Sequence, residues 1–343
     1  MELTTPNVED AGVAGAIFDV VRAAHDADEP GNPPPCSVAF PIRLRQRPPA
    51  LKREYRAAYI DGRLAGYASV QMTTRDNLHR AEVDVTVHPD FRRRGIGTAL
   101  LHEAESIARA NDRRTVGIGT VAAITADGPK RSEAGRRFLE ARGYRHMLTE
   151  QLNRMDLTAL DPAVEQRLYD EARAASTEYE TIGWAERIPE ELLAPMAAIN
   201  STIIDEVPTG GLDLEAERLD ADRLRTSDDL AMEAGLFKCG VIARLKGSTE
   251  VAANTLAVMS TEPGDAAEQY ITLVAPKHRG HRLGMRIKLE NYRRLRAARP
   301  RVRWIHTGNA DGNAPMLSIN EKLGFEKVDG WYEYEKDVRL TKP

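Results

Sequence analysis

Apolar and polar positions run through the same succession of periods twice along the chain. Val13, Ile17, Val20 and Val21 keep helical spacing, which predicts a helix over about residues 13–24. A Pro/Gly-rich stretch, residues 28–35, cannot continue it. Residues 55–60 and 64–72 then alternate around Asp61-Gly62, a hairpin signal. A strand over 81–87 stops at His88-Pro89, a helix is expected over 98–111, a strand over 115–120, and a helix over 133–141 that ends before Gly143. The second half repeats the order. It predicts a helix over 189–204, a hairpin of 237–245 with 251–260 around Lys246-Gly247, and a strand over 268–274 stopped by Ala275-Pro276. A helix over 285–298, a strand over 302–307 and a helix over 314–322 before Gly324-Phe325 complete it.

The landmarks keep nearly constant spacing. Arg92 and Arg279 are 187 residues apart, and Gly143-Tyr144 and Gly324-Phe325 are 181 apart. An internal duplication is the economical explanation. Residues 161–177, with Val164, Leu168 and Ala172 on one face, read as a connecting helix between domains at 1–160 and 178–343.

Bulk numbers fit that division and narrow the function. At 343 residues the chain exceeds what one core usually supports. Its 42% hydrophobic and 29% charged residues suit a globular protein, and a net charge of −4 argues against a general nucleic-acid binder. Cys36 and Cys239 stand alone without metal-ligand spacing, so no metal is expected. No run approaches the ~18 apolar residues of a membrane span, and no leader-like segment opens the chain; a cytoplasmic monomer or homodimer is expected.

The chemistry concentrates in two loops. Val87 ends a strand, Arg92, Arg93, Arg94, Gly95, Ile96 and Gly97 form a basic turn, and Thr98 opens a helix. Glycines there admit close approach of a ligand to the backbone, and the free N–H groups of a first helical turn favour phosphate oxygens. The arginines add charge-assisted donors. The second loop runs from Val274 through Arg279, Gly280, His281, Arg282, Leu283 and Gly284 to Met285.

Arg92-x-x-Gly95-x-Gly97 resembles the acetyl-CoA pyrophosphate signature of the GNAT N-acetyltransferase superfamily, and Gly143-Tyr144 is similar to the family's ending. Arg279-x-x-Arg282-x-Gly284 departs from the signature, with Arg282 in place of its first glycine; Gly280 is expected to supply the missing backbone freedom. The resemblance implies an α/β (α+β type) architecture of two tandem GNAT-like domains, each a mixed, mostly antiparallel sheet flanked by helices and splayed at its fourth and fifth strands. It also implies acetyl-CoA as co-substrate and a primary amine of a small molecule as acceptor.

In the family, a carboxylate six residues before the strand-ending valine often serves as base, and backbone N–H near a bulge meets the thioester carbonyl. Counting back from Val274 gives Glu268, and from Val87 gives Ala81. Strand alternation puts Glu268, Tyr270, Thr272 and Val274 on one face, while Glu82 and Asp84 turn away from the equivalent face of the first half; a one-residue bulge would bring those two round instead. Catalysis is therefore expected in the second domain, with Glu268 and Tyr270, and cofactor binding or a structural role in the first. The family's usual acid, a tyrosine, is replaced by Leu139 and Asn320; Tyr270, Tyr332, Tyr334 or water is left to protonate the thiolate. Asn309 and Asn313 suit either the cofactor arm or a helix cap, and Asp205 and Glu206 would suit a cationic acceptor. Catalysis in the first domain, a non-catalytic acyl-CoA sensor, and a protein amine as acceptor stay open as alternatives.

Overall fold

The computed structural model describes residues 1–125, 128–260 and 264–339. The first half folds as β1 (Glu2–Thr4), α1 (Ala11–Asp28), α2 (Ala39–Arg45), β2 (Leu51–Ile60), β3 (Arg63–Thr73), β4 (Arg80–Val87), α3 (Ile96–Ala110), β5 (Thr115–Ala122), α4 (Ala134–Glu140) and β6 (Arg145–Asp156). The second half gives α5 (Pro162–Ala174), β7 (Tyr179–Ala185), α6 (Glu190–Asn200), α7 (Ile203–Glu206), α8 (Ala221–Glu233), β8 (Leu236–Leu245), β9 (Ala253–Ser260), β10 (Ala266–Val274), α9 (Leu283–Ala298), β11 (Trp304–Ala310), α10 (Ala314–Lys322) and β12 (Glu326–Asp337). Turn chemistry sets several of these boundaries. Asp61 and Gly62 both take positive φ between β2 and β3, as a two-residue hairpin of matching twist requires.

The chain forms two compact units that are not its two halves. Residues 1–149, 209–215 and 329–343 make the first; 150–208 and 216–328 make the second. In the first unit β1 to β5 follow in order, and β5 pairs antiparallel with β12 over Gly330–Asp337, the end of the whole chain. In the second, β7 to β11 follow in order and β11 pairs antiparallel with β6, the last strand of the first half. Each unit thus takes its final strand from the other half of the sequence. Helix α5 packs inside the second unit: Leu168 and Ala172 join a core with Leu289 and Tyr292 of α9, and Glu165 accepts from Arg293 and Arg296, both at 2.6 Å.

Both sheets are splayed where the fold resemblance implies. In each unit two parallel strands pair for three residues and then part: Arg80–Glu82 with Thr115–Gly117, and Ala266–Glu268 with Trp304–His306. Helices cover both faces. In the first unit α3 packs on Ala68, Val70, Ala81 and Val83, while α1 packs on the opposite face around Tyr55 and Tyr67.

The borrowed strand is fastened by charge as well as by its ladder. Glu335 of β12 pairs with Arg80, both about 5% exposed; Lys336 Nζ bonds Glu105 at 2.9 Å; Asp329, fully buried, takes Arg131 at 2.7 Å. Replacing Glu335 by Ala strands the buried Arg80 guanidinium with Glu82 alone and is expected to destabilise the first unit by about 3 kcal/mol. Urea unfolding with amide exchange of β4 and β5 reads this. Exchange at wild-type rates in Glu335→Ala would show that the pair contributes nothing.

Candidate active site

The two basic loops share one backbone conformation. Each hangs from its strand by the same bond: Arg92 Nε donates to the Val87 carbonyl at 3.1 Å, and Arg279 Nε to the Val274 carbonyl at 3.4 Å. Positive φ recurs at equivalent positions, 63° at Arg93 and 81° at Gly95, against 85° at Gly280 and 53° at Arg282. Gly280 therefore does not stand in for Gly95. It relieves the position that Arg93 occupies, and Arg282 itself takes the left-handed conformation. Each loop carries one glycine and one arginine at the two demanding sites.

Both loops open helices whose first turns have no side-chain cap. Gly95 leads into α3 and Arg282 into α9, whereas α1, α5 and α8 are capped by Asp10, Asp161 and Asp220. Uncapped N–H groups at the positive end of a helix dipole fit a diphosphate. Ile96, the first residue of α3, is buried, Gly97 lies against Phe138, and Thr98 Oγ1 accepts from Arg142, whose guanidinium stacks 3.8 Å from the Phe138 centroid. Arg93 and Arg94 are exposed, Arg94 over the Phe91 ring. In the second loop Leu283, Gly284 and Met285 are buried, Gly284 closely against Ile319, and His281 lies beside Tyr179.

The remaining guanidinium nitrogens of the anchoring arginines take carboxylates. Arg92 makes a bidentate pair with Asp28 at the end of α1, both contacts 2.7 Å. Arg279 pairs with Glu206 of α7. Glu206, expected to face an amine, is thus engaged, and Asp205 beside it is exposed.

A cavity of about 850 Å³ fills the splay of the first unit. The loop residues Arg92, Gly95 and Thr98 line one end, and Val21, Ala24 and His25 of α1 line the other. Between them lie the parted strands, and Trp331 of β12 covers Gly119 so closely that a Cβ there would meet its ring at 2.1 Å. Asp84 lines the cavity too. Its side chain is solvent-exposed, its carboxylate accepts from Ser69 Oγ at 3.0 Å, and desolvation by the neighbouring protein shifts its pKa upward. Asp84 lines the cavity together with Val85, Thr86 and Val87, so both faces of the end of β4 meet it, while Ala81 and Val83 are core. In the second unit a cavity of about 550 Å³ lies at the loop, lined by Arg167, Glu171, Gly280, Arg282 and Lys322.

Strict alternation fails in β10. The strand is bulged between Gln269 and Ile271, which leaves Tyr270 outside the ladder and 77% exposed. Thr272 and Val274 approach Gly284 of α9, while Ile271 and Leu273 pack in the core around α6. Glu268 therefore does not share a face with Thr272 and Val274. The bulge also adds one residue to the count back from the valine. By sheet register the partner of Glu268 in the first unit is Glu82, each being the last paired residue before its splay.

Their surroundings differ. Glu82 is ion-paired with Arg80. Ala266 holds the register of Arg80 in the second unit, and Glu268 has no hydrogen-bond or ion-pair partner among the described residues. Glu268 stands solvent-exposed on the strand, and desolvation by the neighbouring protein shifts its carboxyl pKa upward. Across the strand pair, burial drives His306 down to about 4, so it is neutral at physiological pH.

Asn309 and Asn313 are used internally. Asn313 caps α10, accepting from the Met316 N–H at 3.4 Å. Asn309 Oδ1 accepts from Asn320 Nδ2 at 2.7 Å, and Asn320 Oδ1 accepts from Lys288 Nζ at 2.6 Å. Desolvation lowers Lys288 to about 7. Leu139 is core. Tyr332 and Tyr334 belong to the first unit, where their hydroxyls bond the Ala123 carbonyl at 3.0 Å and Glu140 at 2.9 Å. Sequence reading missed Arg142, Asp28, His25 and Trp331. Only Arg142, one residue before Gly143, carried a local signal.

Known proteins agree with this geometry. Residues 21–128 match the acetyltransferase (GNAT) family. A mycothiol acetyltransferase of Geodermatophilus obscurus is 32% identical over 161 residues, 47% of this chain and 47% of that protein, so the match spans about half the relative's length. One from Nocardiopsis dassonvillei is 26% identical over 341 residues, 93% of this chain and 92% of the relative. Among solved structures, a tandem GNAT protein from the clavulanic acid biosynthesis pathway superposes with a TM-score of 0.84 at 27% identity, covering 99% of both chains. A GCN5-related N-acetyltransferase from Sphaerobacter thermophilus shares the fold, with a TM-score of 0.62 at 17% identity over 98% of this chain and 95% of that one. The chain thus carries a GNAT acetyltransferase domain, matched over residues 21–128, and shares the fold of a tandem GNAT protein over its whole length.

Proposed function

We propose that the protein transfers an acetyl group from acetyl-CoA to a primary amine of a small molecule, with the reaction in the second unit at Glu268. The carrying observation is the contrast at the two splays. Both units place a glutamate at the same register, but Arg80 occupies Glu82, while Glu268 is unpaired beside a bulge. An accessible carboxylate with a raised pKa and no cation beside it suits proton removal from an ammonium near neutral pH. The two relatives named mycothiol acetyltransferase support acetyl transfer to a small molecule.

In this reading Tyr270, displaced from the ladder two residues beyond Glu268, protonates the departing thiolate, and Asp205 draws in the cationic acceptor. Both loops bind CoA diphosphate through their uncapped helix ends. The first unit holds a CoA in its larger cavity.

Glu268→Gln is expected to lower kcat/KM by about 10²-fold or more while acetyl-CoA binding persists. Because the base acts ionised, wild-type kcat/KM should climb with pH through a midpoint above the ordinary carboxylate range, and Glu268→Gln should flatten that limb. An unaltered profile would remove Glu268 from the reaction.

Glutamate at Gly97 or Gly284 would place charge and bulk in one loop at a time. Titration calorimetry should lose one acetyl-CoA site in either variant. Turnover should collapse in Gly284→Glu and keep its larger share in Gly97→Glu; the reverse outcome would move catalysis to the first unit.

A further inference from the structure

The helix between the two repeats does more than connect them. Helix α5 puts Leu168 and Ala172 into a core shared with α9, and it brings Arg167 and Glu171 to the cavity at the second basic loop. At about 550 Å³ that cavity falls within the roughly 300–1,000 Å³ of small-molecule sites. Part of its lining is apolar, from Leu168, Met285 and Ile319, and the first two are buried. The rest is charged. Arg167, Arg282 and Lys322 stand against one carboxylate, Glu171, an excess of two positive charges. Glu171 serves two of the cations, Arg282 at 2.6 Å and Arg167 at 2.9 Å, and all three side chains keep between 40% and 60% of their surface in solvent. Lys322 has no ion-pair partner among the described residues. Ion pairs so exposed are weak, whereas a phosphomonoester brings about −1.5 to −2 charges and three acceptor oxygens to the same guanidinium groups. An apolar patch flanked by surplus cations, next to a diphosphate loop, has the chemistry of a nucleoside that carries its own phosphate.

We propose that this cavity holds the adenosine end of acetyl-CoA in the second unit, with Arg167 of α5 taking the ribose 3′-phosphate as Glu171 gives the arginine up. The inference rests on the reading of the second loop as a CoA site and is independent of catalysis at Glu268. The base lies on Leu168, Met285 and Ile319, between the loop and α5, so that the two kinds of phosphate are met from different elements. The N–H groups at the start of α9 and Lys322 are left to the diphosphate. Glu171 is the internal anion that occupies the arginines until the monoester arrives. Helix α5 lies between the repeats, and the first cavity, whose lining arginines are Arg92, Arg93 and Arg142, takes nothing from it. Dependence on Arg167 is therefore a property of the second cofactor site alone.

The test is titration calorimetry of the full chain with acetyl-CoA and with acetyl-3′-dephospho-CoA, in a Gly97→Glu background that leaves the second loop open. Acetyl-CoA should bind about tenfold more tightly than the dephospho form, and Arg167→Gln should bring the two within about threefold by weakening acetyl-CoA alone. Arg173→Gln, on the same helix but outside the cavity lining, should leave the ratio as it was. A parent ratio near one, a ratio that Arg167→Gln does not change, or an equal fall with Arg173→Gln overturns the proposal and leaves the loop a cofactor site. Loss of both ligands in Gly97→Glu, with binding retained in Gly284→Glu, overturns the proposal and the reading of the loop together. Should Gly97→Glu not fold, Arg167→Gln in the otherwise unaltered chain decides. There it should weaken one of two acetyl-CoA sites and neither dephospho site, and two unchanged acetyl-CoA sites overturn the proposal.

Discussion

Two parallel strands can share hydrogen bonds only while they run side by side, and in each unit the fourth and fifth strands stop doing so after three residue pairs. Beyond that point their inward edges have lost a partner, a costly condition for buried backbone. The first unit tolerates it because each strand keeps its outer neighbour. β4 remains laddered to β3 as far as Val87, and β5 is laddered to β12 along its whole length. The borrowed strand is therefore a condition of the cleft. Without it β5 would hold a three-residue ladder on one side and nothing on the other. Buried pairs such as Arg80–Glu335 and Arg131–Asp329 fasten that strand where the cleft depends on it.

The second unit repeats the parting and fills it differently. Gln269 sends its amide back to the Leu256 and Ile271 carbonyls, and Thr307 Oγ1 reaches the Gln269 carbonyl at 3.2 Å from β11. One substitution in register, Arg80 against Ala266, separates the two apices electrostatically. Arginine neutralises the glutamate two residues on, and alanine leaves it unpaired. The same scaffold thus holds one occupied and one available carboxylate.

The hairpins, the helix ends at Gly143 and Gly324, and the duplicated loops were legible because each depends on local chemistry: a left-handed turn, a C-cap, a break at proline. The splay and its position were legible through family resemblance. The bulge was not. Gln269-Tyr-Ile-Thr272 reads as uninterrupted strand, and an extra residue changes neither composition nor propensity, only which side chains share a face. Glu268 was therefore matched to Ala81 when its register partner is Glu82, and Asp84 was assigned to the far face unless a bulge turned it. The strand exchange had no local signature either. β6 and β12 are each 12 residues long and sit at equivalent places in the repeat, so nothing in their sequence says which sheet they complete.

The loops show how a motif can look worn while its geometry persists. A non-glycine residue in the left-handed region costs about 1 kcal/mol, and each loop bears that cost once, at Arg93 or at Arg282. Moving the glycine two positions leaves the strain and the path of the chain unchanged, so loss of the family's first glycine from 279–285 says little about phosphate binding. In both loops the anchoring arginine is also already balanced, by Asp28 of α1 or Glu206 of α7. In the proposed reading, diphosphate charge would then be met by the helix N–H groups with Arg93, Arg94 and Arg142 in one unit, and by the helix N–H groups with Lys322 in the other, where Arg282 is itself paired with Glu171. The anchoring arginine ties the end of the fourth strand to a neighbouring helix, α1 in one unit and α7 in the other. That tie was kept through the duplication while the carboxylates at the two apices took different partners.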